Sequence, residues 1–317
     1  MMLGYAVKLL TQPTNHGLQF QIQMSKPHSS RAGLIAAFFT ICIWTGFILV
    51  SRHGGKGVLT GWDVTALRFG VGALIALVFL PRVTLPPYKV ILLFSMFGGV
   101  GYAVAVYVAF RMAPAAHAAV LLPGALPFAT AVIAWLWLRQ SPSPAQRMAL
   151  LLVFIGITLT AVDTFSHGAH LTGTQILGDL LFLCGSSSWA AFTLLLRRYP
   201  MSPLTAAVST TLGSAILYLP VWWLFLPSTL GQAPLAEIAM QAIYQGVLVV
   251  FVAMLLYTYA VRSLGGQTVA LLMAIVPGLS ALAAVPVLGE PLSLLTLAGL
   301  GAVTVGAVMG ARVSSVK

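Results

Sequence analysis

The chain has 317 residues, of which 59% are hydrophobic and 7% charged, and its mean hydropathy is +0.99. Soluble domains carry about 25% charged residues, so a soluble enzyme, a disordered chain and a disulfide scaffold are excluded together. The formal net charge of +11 comes from Lys and Arg scattered singly or in pairs between apolar runs, without the clustered basic face that nucleic-acid binding needs.

Residues 1–30 are polar and hold no unbroken apolar run of the signal-peptide kind. They read as a disordered tail, with Met24, just ahead of a compact basic stretch from Ser25 to Arg31, as an alternative start. Segments of the roughly 20 apolar residues that a membrane helix requires follow at 32–51, 63–80, 88–110, 117–138 and 145–163. Five more lie at 176–196, 204–226, 238–261, 267–288 and 292–311. Linkers such as Arg197 to Pro200 leave no room for a soluble domain. Cys42 and Cys184 fall inside apolar segments and are expected as buried small hydrophobes.

With the N-terminus inside, twelve Lys and Arg fall in the cytoplasmic segments. Three, Arg52, Lys56 and Arg111, fall outside, and Arg68 is left within the second span. That asymmetry predicts both termini in the cytoplasm of a multi-pass protein of the cell (inner) membrane.

Shifted by 150 residues, the middle of the chain lies over its end without a gap. Tyr107 meets Tyr257, Pro127 meets Pro277, Ser143 meets Ser293 and Gly156 meets Gly306. Trp44 with Arg52 eight residues on matches Trp189 with Arg197 at the same spacing. Two halves, 31–164 and 175–312, therefore hold five spans each. An odd number forces the second half to enter the membrane from the opposite side. The expected fold is an all-α integral membrane protein of ten transmembrane helices in two inverted five-helix repeats. Such repeats bind solute near midplane and expose it to either side.

The exit of the ninth span, ALLMAIVPGLSALAAVPVLGEPLS (270–293), with Pro277 and Gly289-Glu290-Pro291, resembles the EamA-type half-repeat of the drug/metabolite transporter superfamily. The fourth span, 118–143, is its degenerate twin, and Ile43-Trp44-Thr45-Gly46 is similar to that family's first helix. The resemblance covers about residues 31–312. Arg139-Gln140 departs from it, standing where the repeat would carry Gly-Glu. The resemblance implies ten helices and export of small metabolites, amino acids or toxic compounds.

Six residues are candidates for binding the solute. Pro127 and Pro277 lie near the middle of their spans, where proline would kink the helix and release the carbonyls of Pro123 and Met273. Trp44 and Trp189 sit near midplane, away from the interfacial belts that tryptophan favours, as possible cavity walls. Tyr102 stands beside Gly98-Gly99-Gly101, which admit a close neighbour. Arg68 is the one charge within a span, functional by default at such depth unless it snorkels outward or to Asp63. Tyr107 and Tyr257 read as belt residues, Ser186 to Ser188 as backbone-bonded hydroxyls, and Glu290 as a cap for the tenth span. His117 and Gln267, equivalent in the repeat, are weaker gate candidates. The partners implied are a small-molecule substrate and the lipid bilayer, with no nucleic acid and no cofactor, in a monomer or homodimer. The rival class is an intramembrane enzyme acting on a lipid-soluble substrate, with a serine from Gly185-Ser186-Ser187 and His117 as base.

Overall fold

The computed structural model describes residues 30–139, 142–166, 173–264 and 266–313. Apart from Ser30, the tail read at 1–30 lies outside them, as do His167, His170 and Lys317. The described residues form ten helical spans. They are α1 (Ser30–Lys56), α2 (Gly61–Phe79), α3 (Tyr88–Met112), α4 (Ala115–Ala119 through Leu126–Leu138), α5 (Pro144–Ser166) and α6 (Gly173–Arg198). After them come α7 (Pro203–Phe225), α8 (Leu235–Ile243 through Ala253–Leu264), α9 (Gly266–Met273 and Val276–Leu288) and α10 (Leu294–Val313). Seven contain long apolar spans, and the apolar stretches Pro144–Thr160, Val276–Leu288 and Leu294–Gly310 complete the ten.

The outward surface is made of large apolar side chains such as Phe38, Leu74, Phe154, Trp223 and Leu282, as expected where the solvent is lipid. Cys42 and Cys184 belong to this surface rather than to the core. Each continues an exposed helical stripe, Ile35-Phe38-Phe39-Cys42 on α1 and Leu177-Leu180-Cys184 on α6.

The repeat extends to the irregularities of the helices. α3 widens into a π-helical turn at Ser95–Val100, and α8 does so at Tyr244–Val252, the same place after the shift of 150. α4 passes through a π segment, Val120–Gly124, and breaks at Ala125; α9 breaks at Ala274 and Ile275. Packing obeys the same exchange. α1 pairs with α8 as α6 pairs with α3, and α1 meets α9 as α6 meets α4. α2 packs on α7, and α5 on α10. The last pair approaches so closely that a Cβ on Gly156 would lie 2.6 Å from the Gly299 carbonyl oxygen, and one on Gly299 2.9 Å from that of Gly156.

The two ends of the bundle differ. Where α1 finishes and α2 begins, one continuous core joins Phe47, Phe69, Phe110, Leu121, Phe182 and Ala284, drawn from six helices. Toward the end where α1 begins and α10 finishes the core divides into three clusters: α3–α6–α7 around Phe94 and Phe192, α2–α7–α8 around Phe251, and α1–α8–α9 around Ala37 and Ala260.

Candidate substrate site

Arg68 lies two turns into α2, about 10 Å along the axis from its first residue at 1.5 Å per residue. Its side chain does not snorkel; it is 6% exposed and turned into the bundle. Nη1 donates to the Tyr107 hydroxyl at 3.0 Å, and that hydroxyl donates to Gln245 Oε1 at 2.9 Å. Gln245 Nε2 donates to Ser51 Oγ at 3.0 Å and to Gln241 Oε1 at 3.2 Å. Gln241 Nε2 closes the line on the Val50 carbonyl at 2.8 Å. Four helices, α2, α3, α8 and α1, are thus tied by one buried polar relay. Tyr107, read from sequence as a belt residue, is its central member and is 2% exposed.

Tyr102 lies on α3 five residues before Tyr107. Its ring packs on Trp189 at 5.0 Å between centroids, and Trp189 continues onto Phe192 at 5.2 Å. Tyr102 and Trp189 therefore come together, and α3 carries both Tyr102 and the Tyr107 that holds Arg68. Trp44 stands apart, packed on Tyr257 of α8 at 5.3 Å. Each tryptophan meets a tyrosine on its partner helix, so the pairing follows the repeat although the two tyrosines are not at equivalent positions.

The two prolines do something other than kink an intact helix. Each span is broken just ahead of its proline, so Pro277 occupies the first turn of a new segment, buried, with Pro127 at the matching backbone position in α4. A first-turn proline forfeits no helical bond. Ser186 Oγ, on α6, donates to the carbonyl of Leu122 in the α4 π segment at 3.0 Å. Ser188 Oγ donates to the carbonyl of Phe97 in the α3 π turn at 2.7 Å. These hydroxyls serve irregular turns of neighbouring helices, as membrane-depth backbone requires. The three glycines of α3 serve neighbours as well: a Cβ on Gly98 would strike Phe192, and one on Gly99 would strike Ser214 Oγ.

All five carboxylates lie at the end with the continuous core, hereafter the carboxylate face. Glu290 Oε1 pairs with Arg52 Nε at 2.6 Å and Lys56 Nζ at 2.8 Å, while Oε2 accepts the Ala115 N–H at 2.8 Å. It joins α1, the α9–α10 turn and the start of α4, and α10 takes its cap from Ser293 instead. Burial pushes the Glu290 carboxyl upward, but the hydrogen bonds from Lys56, Ala115 and Arg52, with the Arg52 charge, outweigh it. The net result is a carboxyl held below its ordinary value. Glu237 receives the N–H groups of Val58 and Leu59. Asp63, which an outward-turned Arg68 would have met, is engaged by Thr60, Trp222, Ser228 and Thr229. His117 Nδ1 lies 3.0 Å from Asp179, and Thr296 donates to Asp163 at 2.8 Å. The Gln267 side chain lies outside the described residues. No group of His, Cys, Asp and Glu with metal-holding geometry occurs among the described residues. Ser186 and His117 each have the partners given above, on different helices.

The EamA-like transporter family matches residues 31–162 and again 176–311, one copy on each five-helix half. The uncharacterized transporter YvbV of Bacillus subtilis (strain 168) is 28% identical over 177 residues, which is 55% of this chain and 56% of YvbV. The chain thus aligns with about half the length of that relative. In three dimensions the chain is similar to a solved crystal structure with TM-score 0.61 and 20% identity, over 90% of this chain and 100% of that one, a likeness of fold. Repeated halves, mirrored irregularities and two family matches agree: the chain belongs to the EamA-like transporter family, multi-pass membrane transporters rather than enzymes.

Proposed function

We propose that this chain is a secondary transporter of the cell (inner) membrane that exports small metabolites, amino acids or toxic compounds by alternating access. Both termini face the cytoplasm, and it works as a monomer or homodimer. One observation carries the reading: a pseudo-symmetric bundle whose core is continuous and ion-paired at one end and divided at the other. Two interchangeable halves allow the mirror-image packing, in which the carboxylate face parts and the opposite face closes. In this reading the arrangement described here is closed to the outside. Arg68, Tyr102 and Trp189 form one wall of the solute path, Trp44 stands on the α1 side, and the segments opened by Pro127 and Pro277 supply mobile ends.

The test is a growth screen followed by flux. Cells overproducing the chain are challenged with amino-acid analogues, nucleosides and drugs beside a vector control. A protective effect is then followed as efflux from vesicles. Solute-dependent efflux supports the carrier; product formation without flux would replace it by an intramembrane enzyme.

A further inference from the structure

A guanidinium placed at membrane depth needs an anionic partner or several good acceptors, because desolvating a full charge costs several kcal/mol or more. Arg68 carries five N–H donors in a planar fork. Its hydrogen bonding is confined to Nη1 and the neutral Tyr107 hydroxyl, and it forms no ion pair among the described residues. The chain's own carboxylates offer no remedy. Asp63, Asp163, Asp179, Glu237 and Glu290 are each held at the carboxylate face by the partners named above. The polar relay behind Arg68 is neutral throughout: Tyr107, Gln245, Gln241 and Ser51. It fixes the guanidinium in place without discharging it.

From this accounting we infer that Arg68 binds the transported solute through a carboxylate, and that the substrate class is small monocarboxylates with an aromatic or apolar body. The inference rests on the transporter reading and narrows it. The fork geometry of arginine matches a carboxylate with two parallel hydrogen bonds. A single cation balances a single negative charge, whereas a phosphate monoester, at about −1.5 to −2, would leave charge unmatched on Arg68 alone. The body of the solute is matched to the aromatic surface on the helix that also carries Tyr107, the partner of Arg68: the Tyr102 ring, the Trp189 ring packed on it and Phe192 beyond. Such rings take up flat apolar surface in preference to a sugar or a peptide.

Three probes of equal shape separate charge from body: 3-phenylpropionate, its neutral amide 3-phenylpropanamide, and the cation 3-phenylpropylamine. Binding of each radiolabelled probe to the full chain in lipid nanodiscs is measured by equilibrium dialysis. Wild type is expected to bind the carboxylate at least about tenfold more tightly than the amide or the amine, the selectivity of a charge-assisted hydrogen bond. Arg68→Gln is expected to lose that margin, and Arg68→Lys to retain part of it. The inference is overturned if the amide or amine binds wild type as tightly, if 3-phenylpropionate fails to bind at millimolar concentration, or if Arg68→Gln binds it like wild type. The selectivity of wild type stands as a test even where a variant does not fold. Efflux of the same probes from loaded proteoliposomes distinguishes the two readings. Charge-selective binding without efflux would defeat the transporter and leave the anion site, and efflux indifferent to charge would do the reverse.

Discussion

Glu290 shows how one carboxylate closes a helical bundle. It reaches three elements at once, and its carboxyl is held below the ordinary value by the cations and the N–H that reach it. A carboxyl lowered in the closed state strengthens closure fully above the ordinary carboxylate value, and that contribution is lost as pH falls through the lowered one. Leu59, fully buried beneath this face, reports on it. In a background of Cys42→Ala and Cys184→Ala, the rate at which a Leu59→Cys thiolate reacts with an impermeant thiosulfonate, corrected for the falling thiolate fraction, should rise as pH falls. Glu290→Gln should raise the rate at neutral pH about fivefold, near the upper end of what a partly exposed ion pair is worth, and should flatten the acid response. Equal pH profiles with and without the substitution would assign the closure to other groups. A second single-residue effect was half visible in sequence. Arg139 stands where the other repeat has Gly289, and both adopt left-handed backbone, with φ of 56° and 65°. The arginine carries a strain of about 1 kcal/mol that glycine does not. Arg139→Gly should therefore raise the thermal unfolding midpoint in detergent, whereas a lowered midpoint would mean that the side chain compensates its own strain. Other residue roles were hidden from the sequence. Gln241 and Gln245 are spaced for one helix face, but nothing in a single apolar span announces that Tyr107 and Ser51 will meet them from α3 and α1.

Elements in this fold are defined as much by their irregular turns as by their length. The shift of 150 residues places Pro127 on Pro277 and so locates both broken spans. It does not show the break itself, because Ala125 and the pair Ala274–Ile275 carry no turn-forming signature. Proline fixes only its own φ and forbids its own N–H, which is as consistent with a new first turn as with a kink. The π turns were equally invisible, since their cause is packing between helices: α3 widens where Gly98 and Gly99 let α6 and α7 approach. That contact makes a coupled prediction. Gly99→Ala drives a methyl into Ser214 Oγ and should destabilise the protein by about 1–3 kcal/mol, the cost of overpacking. Ser214 Oγ is buried and has no hydrogen-bond partner, so Ser214→Ala alone should cost little. The double variant should recover part of the loss, because the remaining Cβ would stand 3.0 Å from the added methyl. Unfolding midpoints of the four proteins form the cycle, and strict additivity would mean that α3 and α7 do not meet at this point.

At the scale of the whole molecule, ten spans and a repeated half are legible in sequence because both accumulate over the entire chain: hydropathy over some twenty residues at a time, and residue identities over a fixed shift. What sequence cannot add up is polarity along the membrane normal, which depends on where each side chain reaches. The structure places every carboxylate at one face and leaves the interior relay without an acid. A proton-coupled carrier commonly uses a titratable group inside the membrane. Arginine does not act as a proton shuttle, and tyrosine and glutamine amide do not titrate near neutrality. In the proposed reading the site is therefore a binding centre with a fixed charge, and transport is expected to follow the solute's own gradient. With a solute from the growth screen loaded on one side of proteoliposomes, efflux should persist without any pH difference. It should also survive each of Asp163→Asn, Asp179→Asn, Glu237→Gln and Glu290→Gln, in proportion to the protein inserted. The demanding member of this set is Asp179→Asn, because His117 faces that carboxylate at 3.0 Å. Accumulation against the solute gradient that requires an imposed pH difference, and disappears with Asp179→Asn alone, would relocate coupling from the solute gradient to that pair. Gradient-driven efflux retained in Asp179→Asn would restrict the pair to holding α4 against α6.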